Sequence, residues 1–131
     1  GGEQARSACI KALETDNRYE VRGAAATSLG QLGGEQARSA CIKALEADTH
    51  EDVRSAAATS LGQLGGEQAI TALTETFRKY QRSQDYNWRY TSFVAAGAIG
   101  RLRPCIKALE TDNRYEVRGA AATSLGQLGG E

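Results

Sequence analysis

CIKALETDNRYEVRGAAATSLGQLGGE, residues 9–35, returns without a change at residues 105–131. Residues 33–64, GGEQARSACIKALEADTHEDVRSAAATSLGQL, differ from residues 1–32 at only six positions. Self-similarity at a fixed period is the mark of a stacked repeat architecture. The divergent stretch, roughly 69–104, still closes on Ala98-Ile99-Gly100-Arg101-Leu102, an echo of Ser28-Leu29-Gly30-Gln31-Leu32.

Each unit reads as two helices. Ala5, Ala8, Cys9, Ala12 and Leu13 share one helical face, which predicts a first helix from about Glu3 to Glu14. Val21, Ala24, Ala25, Ser28, Leu29 and Leu32 form the stripe of a second, from about Arg18 to Leu32. Asn17 followed by Glu20 suits an N-cap with a capping-box partner, and Thr49 and Asp52 take those places in the second unit. Gly33-Gly34 stops the helix, because glycine tolerates a left-handed residue after the last turn. A lone hairpin cannot bury its apolar face, whereas stacked neighbours share a continuous core. The expected fold is all-α: a right-handed α-α superhelix, or solenoid, of four helical-hairpin repeats. They fall at about 1–32, 33–64, 65–102 and 103–131, the third divergent and the fourth with a shortened first helix. The whole of 1–131 reads as a single solenoid domain and as a piece of a longer array.

The recurring set Asp16, Val21, Arg22, Leu29 and Gly30 has copies at Asp48, Val53, Arg54, Leu61 and Gly62 and at Asp112, Val117, Arg118, Leu125 and Gly126. It resembles the short HEAT-like repeats of phycobilin lyases. The resemblance spans three of the four units. It implies that the second helices line a concave binding face and that the Asp and Arg form a hydrogen-bond ladder within or between repeats. Deoxyhypusine hydroxylases are built from similar repeats, and their iron-binding His-Glu pairs directly follow the Val-Arg. Here those places hold Gly23-Ala24, Ser55-Ala56 and Gly119-Ala120, and the one His-Glu pair, His50-Glu51, precedes Val53. A lone histidine cannot build such a di-metal site, so His50 reads as a surface-loop residue.

The third unit carries the unusual chemistry. Ile70, Leu73, Phe77 and Tyr80 predict a longer first helix, from about Glu67 to Gln84, with a second from about Asn87 to Leu102. Aligned backwards from Gly100, Phe93 stands at the place of Gly23 and Ser55, and Thr91-Ser92 replace the Val-Arg, so the arginine ladder should break here. Leu102-Arg103-Pro104-Cys105 shortens the approach to the last unit, where Pro104 suits the first position of a short helix to about Leu109. Every aromatic residue except Tyr19 and Tyr115 lies in this unit, and Arg78, Lys79, Arg82, Arg89, Arg101 and Arg103 outnumber Glu67, Glu75 and Asp85. Trp, Tyr and Arg dominate interaction hot spots. Trp88, Arg89, Tyr90, Phe93, Tyr86 and Arg82 therefore form the candidate recognition patch, with Phe77 assigned to the core. Aromatics that merely fill space opened by a longer helix are the structural alternative.

The remaining chemistry is sparse. Sixteen basic residues balance sixteen acidic ones, which disfavours nucleic acid or an anionic membrane as a bulk partner. No apolar run approaches the length of a membrane span. Cys9, Cys41 and Cys105 recur at multiples of the repeat, with Leu73 in the missing place. Equivalent places in adjacent layers lie about 10 Å apart, too far for disulfides, so these read as reduced, buried thiols of a cytoplasmic protein. No metal, cofactor or catalytic set is expected. The expected function is a non-catalytic protein–protein interaction scaffold, with self-association or domain swapping through uncapped end repeats. The alternative, implied by the resemblance, is a bilin lyase or chaperone that binds an open-chain tetrapyrrole.

Overall fold

The computed structural model describes residues 2–100 and 102. Six α-helices follow in order: α1 (Gly2–Thr15), α2 (Tyr19–Leu32), α3 (Glu35–Ala47), α4 (Glu51–Leu64), α5 (Glu67–Tyr80) and α6 (Tyr86–Ile99). They pair as three hairpins. The second helices α2, α4 and α6 pack in succession, and the first helices α1, α3 and α5 form the other layer. The expected fourth repeat, with Cys105 and the short helix at Pro104, lies outside the described residues.

Stacking is what buries the repeated stripe. α1 and α3 share the sequence EQARSACIKALE, yet Ala5 and Ala8 are exposed while Ala37 and Ala40 are buried. Likewise Cys9 is half-buried and Cys41 fully buried. The difference is the preceding hairpin: α3 lies against α2, with the Cys41 thiol 3.9 Å from the Ala26 carbonyl oxygen. Leu73 occupies the equivalent place in α5 and is fully buried, and Phe77 fills the place of Leu45.

Glycine sets the spacing of the second helices. A methyl carbon on Gly30 would lie 2.5 Å from Ser60 Oγ, and one on Gly62 would lie 3.1 Å from Ala98 Cβ. The Ser60 hydroxyl uses this approach to donate to the Ala26 carbonyl at 2.7 Å. The hairpins are joined by Gly33-Gly34 and Gly65-Gly66, all at positive φ. Gly33 (φ 77°, ψ −176°) is extended rather than left-handed helical, in a region essentially reserved for glycine.

Four details differ from the sequence reading. The helix starts are not capped by Asn17 or Thr49. Asp16 Oδ1 accepts the Arg18 amide, and Asp48 Oδ1 accepts the His50 amide. These turns place Arg18 and His50 directly before the helices, so Glu20 falls one position short of a capping box. Ala26, outside the apolar stripe read from the sequence, is buried and Ala24, within it, is exposed, because α2 is covered both by α1 and by the next hairpin. Finally, α5 ends at Tyr80 and is no longer than α1. Ser83 Oγ accepts the Asp85 amide and Asp85 Oδ1 accepts the Asn87 amide, local bonds that compete with helix. The inserted residues instead lengthen the loop and add a turn, Tyr86 to Trp88, at the start of α6.

Candidate interaction surface

The junction of the first two hairpins is held by an ion pair. Arg22 donates through two guanidinium nitrogens to the two carboxylate oxygens of Asp48, at 3.0 and 3.1 Å. A third nitrogen donates to the Asp16 and Asn17 carbonyls at 3.0 and 3.1 Å. The guanidinium therefore clips its own loop and the next repeat together. Asp48 holds the Arg22 guanidinium above its ordinary pKa.

At the next junction the arginine is kept and the carboxylate is not. Arg54 is 1% exposed. It donates to the Asp48 carbonyl within its own repeat at 2.8 Å and to Thr91 Oγ1 of the third at 3.0 Å. Its guanidinium carbon lies 3.9 Å from the centre of the Trp88 ring, and that ring stacks on Tyr80 at 4.3 Å. An aromatic face thus takes the place of the carboxylate, an attraction that strengthens when the cation is desolvated. Burial pushes the Arg54 guanidinium below its ordinary pKa. Trp88, a residue of the candidate patch, is half-buried and closes this junction.

Most of the other patch residues are more open, although Arg89 is half-buried as Trp88 is. Tyr86 (69% exposed), Tyr90 (46%) and Phe93 (55%) recur at four and three residues on α6 and share a helical face. Tyr90 stands at the place of Asp52 and Glu20, and Phe93 at that of Ser55 and Gly23, as the burial pattern of α6 against α4 requires. The Arg89 guanidinium sits 5.4 Å from the Tyr86 ring centre. Arg82 is exposed on the loop before α6. Arg78 and Lys79 on the last turn of α5 add positive charge nearby.

The other groups are structural. His50 caps α4 by accepting the Asp52 amide at Nδ1, and it lies flat on the Tyr19 ring at 3.7 Å. Among the described residues, no cluster of three or more His, Cys, Asp or Glu side chains is placed to hold a metal ion. Likewise no helix among them is long and apolar enough to cross a membrane. An open groove of about 650 Å³ runs along the first helices, past Ile10, Glu14, Ile42, Lys43 and Glu46. Its lining mixes apolar side chains with both charge signs and gathers no reactive constellation.

One recurring contact escaped the sequence reading. Arg6 Nε donates to the Gly33 carbonyl at 2.8 Å and Arg38 Nε to the Gly65 carbonyl at 3.0 Å. Each arginine of a first helix thereby ties down the glycine that ends its own hairpin. The signal was present: in the third unit Ile70 replaces the arginine and the closing glycine pair is missing as well.

The profile described as HEAT repeats matches residues 7–84, more than half of the chain. No curated protein matches the chain. With helical hairpins stacked in register, an Arg-Asp clip between repeats and a family match across the first two hairpins and into the third, the chain belongs to the HEAT repeat family.

Proposed function

We propose that the chain is a non-catalytic protein-interaction scaffold whose third repeat recognises an acidic, apolar-bearing peptide segment. The reading includes a four-repeat, right-handed solenoid of the short phycobilin-lyase type, placed in the cytoplasm. The observation that carries the recognition site is the exposure of Tyr86, Tyr90 and Phe93 on one face of α6, where the other repeats place small or acidic residues. Exposed aromatics beside arginines supply contact area at low conformational cost, together with a charge that selects acidic partners. Trp88 leaves the patch, and Tyr86, Arg89, Tyr90, Phe93 and Arg82 remain.

The test restores second-repeat residues. Tyr90→Asp and Phe93→Ser place on α6 the side chains found at Asp52 and Ser55. Native and doubly substituted chains are used as baits in lysate of the source, with far-UV circular dichroism to verify equal helicity. A protein held by the native bait and lost by the variant supports the reading; equal retention refutes it. The bilin reading rests on the family resemblance alone, and a visible absorption band on mixing with an open-chain tetrapyrrole would establish it.

A further inference from the structure

The groove between neighbouring first helices changes its charge from one repeat junction to the next. Between α1 and α3 it is lined by Ile10 and Ala40, and Lys43 reaches across it to Glu14 at 3.9 Å. One repeat on, between α3 and α5, Ile42 and Ala72 take those apolar places and Glu46 takes the place of Glu14. The place of Lys43, however, holds Glu75. Where the first junction has an ion pair across the groove, the second has a carboxylate on each wall, with Glu67 as a third. Among the described residues, no ion pair engages any of these three. Lys79, at the end of the groove, holds its ammonium over the Tyr80 ring at 5.3 Å. Glu46, Glu67 and Glu75 are exposed, while Ile42 is half-buried and packed on the core. The groove encloses about 400 Å³.

We propose that the groove between α3 and α5 docks a basic, apolar-bearing segment of a partner protein. An apolar side chain of that segment covers Ile42 and Ala72. Its arginine or lysine enters between Glu46 and Glu75, in the role that Lys43 plays at the first junction. Two carboxylates facing one groove repel each other, and a cation set between them turns that repulsion into attraction. The same pair repels an acidic segment, so the exchange of lysine for Glu75 selects the sign of the partner. This groove belongs to the layer of first helices and the α6 patch to the layer of second helices. The two take opposite charges, so failure of either reading leaves the other standing.

Fluorescence anisotropy of a fluorescein-labelled peptide of repeated Leu-Arg-Ser, titrated with the full chain, tests this. Glu75→Lys recreates the Lys43–Glu14 pair of the first junction, so it should keep full helicity by far-UV circular dichroism. It should nevertheless weaken peptide binding by roughly tenfold or more. Glu3→Lys makes the same change of charge on exposed α1, away from the groove, and should leave binding within about twofold. A peptide with glycine for leucine should bind more weakly, and one with glutamate for arginine should not bind. The inference is overturned if the native chain does not prefer the arginine peptide to the glutamate one, or if Glu75→Lys binds as the native chain does. It is equally overturned if Glu3→Lys loses as much as Glu75→Lys, which would leave bulk charge only, or if the glycine peptide binds as well as the leucine one. Sedimentation of the chain alone covers the other occupant: a dimer that Glu75→Lys dissolves would give the groove to a second copy and overturn the inference as well.

Discussion

Replacing Asp48 by Asn and Arg22 by Met, singly and together, measures how strongly the first two repeats are bolted to each other. The Arg22 and Asp48 side chains are 14% and 9% exposed and joined by two nearly parallel bonds. Unit charges about 4 Å apart attract by roughly 4 kcal/mol at the effective dielectric of a protein surface. Desolvation of both groups offsets part of this, which leaves a coupling of about 2 kcal/mol. Asn at 48 still offers an oxygen to the His50 amide, so D48N should cost about 2 kcal/mol. R22M strands a largely buried carboxylate and should cost about 3 kcal/mol. The double variant should then cost about 3 kcal/mol rather than the sum, because the two effects share one interaction. Urea unfolding followed by far-UV circular dichroism reads all three, with Trp88 fluorescence reporting separately on the second junction. A coupling below about 0.5 kcal/mol, the size of an exposed pair, would refute the view that this ion pair holds the stack. R54M supplies the contrast: no carboxylate is stranded there, and an apolar chain on the Trp88 face should cost only about 1 kcal/mol.

Three further outcomes are expected. Gly62→Ala should destabilise by about 1–3 kcal/mol, since its new carbon meets the backbone of Ala98 at 3.2 Å; Gly23→Ala, with nothing within 4 Å, should stabilise by roughly 0.5–1 kcal/mol, and thermal melts decide both signs. Burial pushes the Cys41 thiol up to about 11 from 9.0. The native state thus keeps its proton where the unfolded chain loses it, so this contribution is complete below pH 9 and fades as pH rises from 9 to 11, by ~3 kcal/mol in all; Cys41→Ala should flatten that alkaline decline. Trp88→Ala should cost about 2–3 kcal/mol by opening the space between Tyr80 and Arg54, and Trp88→Phe, which keeps a ring for the cation, well under that, both read by chemical denaturation.

Much of the architecture was legible because the chain states it repeatedly. Two identical copies of one helical stripe, residues 1–14 and 33–46, make the repeat visible in the residues themselves. Aligning the third unit backwards from Gly100 also placed Thr91 and Ser92 at the positions whose burial they share with Val53 and Arg54, while Phe93 stands exposed where Ser55 is half-buried. Residues whose partners lie in another repeat were harder to read. Nothing local to Trp88 says that an arginine from the preceding repeat will lie on its ring. Ala26 sits on the solvent side of a one-stripe helical wheel, yet a second cover removes it from water. The helix starts failed for a different reason. In a short polar loop several side chains compete for the backbone: Asp16 and Asp48 hold the Arg18 and His50 amides, and His50 rather than Thr49 takes the Asp52 amide.

The Gly65-Gly66 link and its Arg38 clip make the second repeat an interchangeable part. A further copy of residues 33–64 spliced in after Leu64 would begin with the same glycine pair that Arg38 already holds. It would offer its own aspartate to Arg54 as Asp48 is offered to Arg22, and it would end on the glycines that precede α5. Every new seam would reproduce one that already exists, so copy number at this point can drift upward with no seam to be reinvented. The third repeat, with isoleucine in place of the clip and no closing glycine pair, does not share that interchangeability.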